Sequence, residues 1–191
     1  MPRKPDPTLK PAILEKVTEH LLDTKLEDVS VRSLGRVLGT SAYPIVYHFG
    51  TREALIQAVV DHLAETVTAA DLDPASDHAA LADWLVTTFG GLDHPERALA
   101  ARLTFELGSV EALDGHRHQH AAHRGRVETI TAWVVAHGTP PDDAELLAQD
   151  AVLAARGAQW GFLVDPEHTD VDAALRAVAD DLAASTGAVR A

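Results

Sequence analysis

The chain contains no cysteine and a single methionine among its 191 residues. Disulfides and cysteine-ligated zinc are therefore excluded as supports of the fold, and a reducing compartment is expected. No stretch approaches the roughly 18 uninterrupted apolar residues that a membrane span requires. Met1-Pro2-Arg3-Lys4 leads into prolines rather than into the apolar core of a signal peptide. We therefore expect a cytoplasmic protein that does not span a membrane.

Basic side chains are also scarce, and the formal net charge is −13. The deficit is unevenly distributed: residues 1–52 carry eight basic and six acidic side chains, a net charge of +2, so the rest of the chain carries −15. An acidic body behind a weakly basic tip would orient the molecule on a polyanion such as DNA. A net charge of +2 predicts weak DNA affinity for each monomer. A dimer that binds two half-sites is therefore expected.

Residues 30–56 predict two short helices joined by a glycine turn. Ser30 can cap the first helix, over residues 31–38, because its hydroxyl can accept from the free backbone N–H groups of the first turn. Gly39 ends this helix, since glycine adopts a positive φ at the least cost. A turn this tight makes the two helices cross, and that shape lays a helix in the major groove of DNA.

The second helix of the pair, over residues 42–48, carries Pro44 in its first turn, where the missing N–H of proline costs nothing. The spacing of apolar residues also predicts helices over residues 11–22 and 52–64. The first of these would brace the crossing pair as a three-helix domain, and Thr51 is placed to cap the other. The N-terminal region is therefore predicted to be a small helical domain that presents its second crossing helix outward.

Four short motifs follow the first predicted helix: Val29-Ser30-Val31, Leu38-Gly39-Thr40-Ser41, His48-Phe49-Gly50 and Thr51-Arg52-Glu53-Ala54-Leu55. In this order they resemble the DNA-binding domain of the TetR family of transcriptional regulators. The resemblance covers about residues 9–64. Three positions depart from it: Gly35 and Arg52 stand where alanine and lysine are common, and Val46 stands where the family usually has a tyrosine that touches DNA.

The resemblance implies a homodimeric repressor that leaves a palindromic double-stranded DNA operator when a small-molecule effector binds the C-terminal domain. The second helix of the pair, over residues 42–48, is then the recognition helix, and its N-terminal end is expected to face the major groove. The side chains expected nearest to base edges are Arg32, Ala42, Tyr43 and Pro44. The side chains expected to hold phosphates are Ser30, Arg36, Ser41, Tyr47, His48 and Arg52. A loosely ordered basic arm is expected from Arg3, Lys4 and Lys10.

A second region begins after the proline-bearing break Asp71-Leu72-Asp73-Pro74. We predict a DNA-binding domain over residues 1–65 and a ligand-binding and dimerisation domain over residues 66–191. Helices are predicted in the second domain over residues 79–89, 95–107, 116–137, 142–164 and 170–185, with a break at Gly108-Ser109. Because no alternating apolar run is long enough for a strand, the fold class is expected to be all-α, with a helical bundle after the helix-turn-helix.

The last two predicted helices carry apolar stripes at helical spacing. The members on the first of them are Leu147, Ala151, Ala154, Ala155 and Ala158, and those on the second are Val171, Ala174, Leu175, Val178 and Leu182. Such stripes can bury a core within one chain or can join two copies. The family resemblance implies a dimer built as a four-helix bundle from these helices, so a two-fold homodimer is expected.

Large rings are distributed over four predicted helices of the second domain: Trp84, Phe89, Phe105, Trp133, Trp160 and Phe162. Such rings can line a ligand cavity, although ordinary core packing is the favoured role for any single one. A lining of this kind would be apolar and aromatic. We therefore expect a hydrophobic or aromatic ligand.

Three histidines of the second domain, His116, His120 and His123, fall on one face of a predicted helix, where they could meet zinc, nickel or copper. The same run contains Arg124 and Arg126, whose charge opposes a divalent ion, so a solvated polar face is favoured and no metal site or cofactor is predicted. No nucleophile elbow, phosphate-cradling glycine loop or HExxH pair is present, so no catalytic residue is predicted. Three alternatives stay open: an activator, a metal-binding helical protein, or a helical enzyme on a scaffold that no longer binds DNA.

Overall fold

The computed structural model describes residues 9–39, 41, 43–66, 71–115 and 117–188. Within these ranges all regular secondary structure is helical, as expected for an all-α protein. The chain divides into two compact units, Met1–Thr66 and Val67–Ala191, called here the N-terminal and C-terminal units. None of the described helices is both long enough and apolar enough to cross a membrane.

The described residues of the N-terminal unit form four α-helices and one short 3-10 turn. In chain order these are α1 (Leu9–Leu22), the 3-10 turn (Leu26–Asp28), α2 (Val31–Val37), α3 (Tyr43–Phe49) and α4 (Arg52–Thr66). The last of these, α4, packs against both α1 and α3. Its inner stripe is buried and completes the core of the unit: Leu55, Ile56, Val59 and Leu63.

Local capping sets the helix boundaries of this unit. The Ser33 N–H donates to Ser30 Oγ at 3.0 Å, and the Ser30 N–H donates back to Ser33 Oγ at 2.8 Å, so α2 begins with a reciprocal capping box. At the other end of α2, Gly39 has a φ of +65°. Thr51 Oγ1 accepts from the Ala54 N–H at 3.1 Å, which caps α4 as predicted.

The described residues of the C-terminal unit form a bundle of five helices: α5 (His78–Phe89), α6 (Pro95–Asp114), α7 (His118–Ala136), α8 (Pro141–Val164) and α9 (Val171–Ala188). The predicted break at Gly108-Ser109 is wrong, because α6 runs through both residues to Gly115, whose φ is +73°. A glycine inside a helix costs only about 1 kcal/mol, and Ser109 Oγ donates to Glu106 O at 2.7 Å within the same helix.

Most of the stripes predicted on α8 and α9 lie in the core of this unit. Ala151 and Ala155 of α8, and Leu175 and Leu182 of α9, are buried. The cause is that α8 packs against α7 and α9, while α9 also packs against α5. Burial within the chain therefore holds for these four residues, whereas Ala154 of the same α8 stripe is exposed and remains available to a second copy.

Candidate nucleic-acid interface

The outward face of α3 carries two exposed aromatic side chains. Tyr43 and Tyr47 are 70% and 58% exposed, and their rings stack with centroids 5.9 Å apart and planes 26° apart. Ile45, on the opposite face of the helix, is buried in the core and holds α3 in place. Large rings that stay in solvent on a short, anchored helix are typical of a binding surface.

Ring contacts continue from the tyrosine pair toward the C-terminal end of α3. The half-buried His48 ring meets the Tyr47 ring edge to face at 5.0 Å. The next ring, Phe49, has Lys10 Nζ 5.5 Å from its centroid. Lys10 was expected in a loose basic arm, but it lies in the first turn of α1 and is held over this ring. Lys10 of α1 therefore contacts the last residue of α3 through this cation–π pair.

Val46, the departure from the family pattern, is also exposed on α3. The position therefore faces solvent, as a DNA-touching residue must, but it presents only a short aliphatic side chain. Tyr47 stands beside it in the sequence, about 100° further around the helix. Pro44 is half-buried at the start of α3, and Ala42, expected next to it at the base edges, lies outside the described residues together with Arg3 and Lys4.

The basic residues of α2 face away from the core. Arg32 and Arg36 are both exposed, whereas Leu34 and Gly35 between them are buried. A spacing of four residues puts the two guanidinium groups on the same side of the helix. Neither forms an ion pair with another of the described side chains, so both charges face solvent. This arrangement suits contacts to phosphates or to the edges of neighbouring bases.

The two serines expected at phosphates are engaged in capping. Ser30 Oγ serves the start of α2, as described above, and Ser41 Oγ accepts from the Tyr43 N–H at 3.4 Å. Both residues are exposed, so their positions are compatible with the predicted contacts. The sequence analysis missed Ser33, whose hydroxyl closes the capping box. The spacing of two serines three residues apart was the available signal.

Arg52 does not point outward as predicted. Its Nε donates to Val29 O at 2.6 Å, and its Nη2 donates to Leu26 O. Its Nη1 lies 3.4 Å from Glu53 Oε1. The guanidinium group therefore spans from the start of α4 to the 3-10 turn before α2. We correct the expected phosphate contact to a positioning role for the helices that carry the interface.

The six aromatic residues of the C-terminal unit differ in their burial. Trp133 is fully buried, its Nε1 donates to Ser76 O at 3.0 Å, and its ring stacks on His137 at 3.8 Å. Trp160 is exposed and meets Phe105 at 5.6 Å, and Phe162 is half-buried. Trp133 thus lies in the core together with Phe89, with Trp84 and Phe162 packed against it, whereas Trp160 is a surface residue.

Trp84 and Phe89 form a separate pair, edge to face at 6.3 Å, and Phe89 has charged neighbours. The guanidinium carbons of Arg156 and Arg126 lie 5.3 and 5.6 Å from its ring centroid. Burial, aided by the charge of Arg126, lowers the pKa of Arg156 to about 10, and burial also lowers the pKa of Arg126. The sequence analysis missed this pair, because arginines are normally expected at the surface.

The histidine run lies partly outside the described residues, which do not include His116. His120 is exposed, whereas His123 is half-buried. Burial lowers the pKa of His123, and the charges of Arg156 and Arg126 lower it further. Among the described residues, no group of three histidine or carboxylate side chains is placed to hold a metal ion.

Comparison with solved structures gives the same fold over nearly the whole chain. A transcriptional regulator from Rhodococcus sp. Rha1 matches with a TM-score of 0.74 at 16% identity, covering 92% of this chain and 96% of that one. BioQ with its natural double-stranded DNA operator matches with a TM-score of 0.60 at 22% identity, covering 92% and 98%. A TetR variant from Acinetobacter baumannii in complex with minocycline matches with a TM-score of 0.56 at 21% identity, covering 98% and 99%.

The chain therefore has the fold of the TetR-type transcriptional regulators, with the helix-turn-helix at its N-terminal end. No protein-family model matches the sequence, and no curated protein matches it either. At these identities the structural likeness establishes the fold alone.

Proposed function

We propose that this protein is a TetR-type, sequence-specific DNA-binding regulator that acts in the cytoplasm and is not an enzyme. The observation that carries the proposal is the stacked, solvent-facing Tyr43–Tyr47 pair on α3. A helix of this length fits the major groove when another helix crosses it and the core holds it from behind. Residues 1–65 are assigned to DNA binding and residues 66–191 to ligand binding and dimerisation.

The DNA contacts divide between the two crossing helices. Tyr43 and Pro44, at the start of α3, are assigned to base edges, where an aromatic ring suits a thymine methyl group. Arg32 is assigned to neighbouring bases from α2. The phosphate contacts fall on exposed or half-buried polar residues around this tip: Ser30, Arg36, Ser41, Tyr47 and His48. Phosphate contacts set register and affinity, while base contacts set sequence preference.

Two copies are needed, because the N-terminal region carries little net positive charge. The outer face of α8 supports a dimer: Leu146 and Leu153 are each 61% exposed, and Trp160 is 56% exposed. These residues recur every seven positions, so they form one row along the helix. The small residues Ala154 and Gly157 are exposed on the same helix and would let a second helix approach. A two-fold dimer through this row would present two α3 helices to a palindrome.

The proposed regulation is repression that a small molecule relieves by binding the C-terminal unit. Two proteins of the same fold support its two halves, since BioQ is titled with its DNA operator and the TetR variant is titled in complex with minocycline. A ligand can release DNA only if it binds the DNA-free conformation more tightly.

The test is selection of binding sites from a random duplex library with the full-length protein, at about 0.1 M salt to suppress pure charge attraction. We expect enrichment of a palindrome. The same selection with Tyr43→Ala should enrich a different or degenerate sequence. If the parent protein enriches no sequence at low or moderate salt, sequence-specific DNA binding is excluded.

A further inference from the structure

Two arginines from different helices share one aromatic ring inside the C-terminal unit. Arg126 belongs to α7, Arg156 belongs to α8, and Phe89 ends α5. Both guanidinium carbons lie within 6 Å of the Phe89 centroid. Phe89 is buried, whereas both arginines are half-buried and so remain partly accessible from solvent. Two cations thus lie against one buried ring, on side chains that are not fully buried.

Neither charge is neutralised by the described part of the chain. Arg126 Nη1 donates to Ala122 O at 3.0 Å, and Arg156 Nη1 donates to Gln159 Oε1 at 2.6 Å. Gln159 is itself fixed, because its buried Nε2 donates to Phe89 O at 2.8 Å. Each guanidinium group has five N–H donors, so most donors of both residues have no protein acceptor among the described residues. No described carboxylate forms an ion pair with either arginine.

Two acidic side chains of α7 and α8 pair with another arginine, Arg124. Glu145 accepts from Arg124 Nη1 at 2.8 Å, and Glu128 lies 3.8 Å from Arg124 Nη2. The chain has 29 acidic side chains, so a shortage of carboxylates does not explain why the inner pair lacks one. Two like charges in a desolvated place destabilise the unit, as the lowered pKa values of Arg156, Arg126 and His123 indicate. Proteins retain destabilising arrangements of this kind at binding sites, where they serve function.

We propose that Arg126 and Arg156 bind the carboxylate group of a small organic acid, whose apolar part lies against the Trp84–Phe89 pair. The proposal deepens the proposed function, on which it rests, by naming the chemical class of the effector. Guanidinium groups match a carboxylate through paired N–H donors, and an arriving anion would neutralise the charge that the protein leaves unpaired. The ligand expected from the aromatic residues alone was hydrophobic; the structure adds an acid group to it.

The experiment measures the melting temperature of the full-length protein with benzoate, octanoate and phenyl phosphate, each against its neutral counterpart (benzamide, octanamide and phenol), at constant ionic strength. We expect a carboxylate to raise the melting temperature by about 3 to 6 °C at roughly ten times its Kd, while its amide does not. Arg156→Gln should abolish this rise. Arg176→Gln, which changes an exposed arginine of α9, should retain it. Equal responses to acids and amides, no response to any acid, or a response to phenyl phosphate alone would overturn the proposal.

A second measurement separates binding from a purely structural role. If the pair exists to bind an anion, Arg156→Met should melt at an equal or higher temperature than the parent in the absence of ligand, because an unpaired desolvated charge has been removed. A lower melting temperature would mean that Arg156 serves the fold, and the proposal would fail. This outcome is independent of the DNA selection. If a palindrome is enriched but no carboxylate binds, only the anion site is overturned. If a carboxylate binds but no palindrome is enriched, only the DNA-binding function is overturned.

Discussion

Arg52 Nε donates to the backbone carbonyl oxygen of Val29 at 2.6 Å, which joins the first residue of α4 to the residue just before the α2 cap. A second donor of the same group reaches Leu26 O in the 3-10 turn. These bonds fix the start of α2 relative to α4. The position of the crossing helices thus depends on a side chain that the sequence pattern assigned to DNA.

Replacing Arg52 should lower the stability of the fold, and not only the affinity for DNA. We expect Arg52→Ala to lower the free energy of unfolding by about 1.5 to 3 kcal/mol, because two backbone carbonyl groups would lose their hydrogen bonds from a charged donor. Chemical denaturation measures this. The matched control is Arg32→Ala, which removes an exposed arginine and should change stability by less than about 0.5 kcal/mol while weakening DNA binding. Unchanged stability of Arg52→Ala, together with a flatter salt dependence of DNA binding, would restore the phosphate role.

Tyr43 and Arg36 should affect DNA binding in different ways. Tyr43→Ala is expected to change the preferred base at one or two positions of each half-site, since the ring is assigned to base edges. Arg36→Ala is expected to weaken binding to all sequences alike and to reduce the slope of log K against log salt by about 1. Binding to a panel of single-substitution duplexes at several salt concentrations separates the two effects. A uniform loss for Tyr43→Ala would move that side chain from the bases to the backbone.

The row Leu146, Leu153 and Trp160 should hold the dimer together. Leu153→Asp is expected to convert a dimer into a monomer at micromolar concentration, because a carboxylate would be buried opposite its own symmetry mate. Light scattering gives the mass directly. Leu113→Asp is the matched control, because Leu113 is an exposed leucine of α6 in the same unit. A parent protein that is already monomeric, or a Leu113→Asp variant that dissociates equally, would contradict this interface.

The pKa of His123 should lie below the ordinary value of about 6.5. Burial lowers it first, followed by the charges of Arg156 and Arg126. The folded protein then resists protonation that the unfolded chain accepts, so this group makes the protein less stable as pH falls through about 6.5. An NMR titration of the ring, assigned by the His123→Gln variant, measures the pKa. A bound carboxylate at the arginine pair should raise it, whereas a value at or above 6.5 without ligand would contradict the described surroundings.

The sequence by itself determined the helices at the N-terminal end, because their signals act over one turn. Ser30 and Thr51 cap α2 and α4, and Gly39 adopts a positive φ, with partners no more than three residues away. The same local logic failed at Gly108, where the cost of one glycine is small beside the remaining hydrogen bonds of a 20-residue helix. These local signals therefore specified the two crossing helices and the turn between them.

Only the tertiary structure decided which way the long side chains and the apolar stripes point. Arg52 finds acceptors 23 and 26 residues away, and Arg126 and Arg156 meet around a ring from a third helix. The stripe at Leu175 is buried while the row at Leu153 is exposed, although both have helical spacing. Periodicity defines a face of a helix, but burial is set by the neighbouring helices that cover it, and that depends on packing across the whole unit.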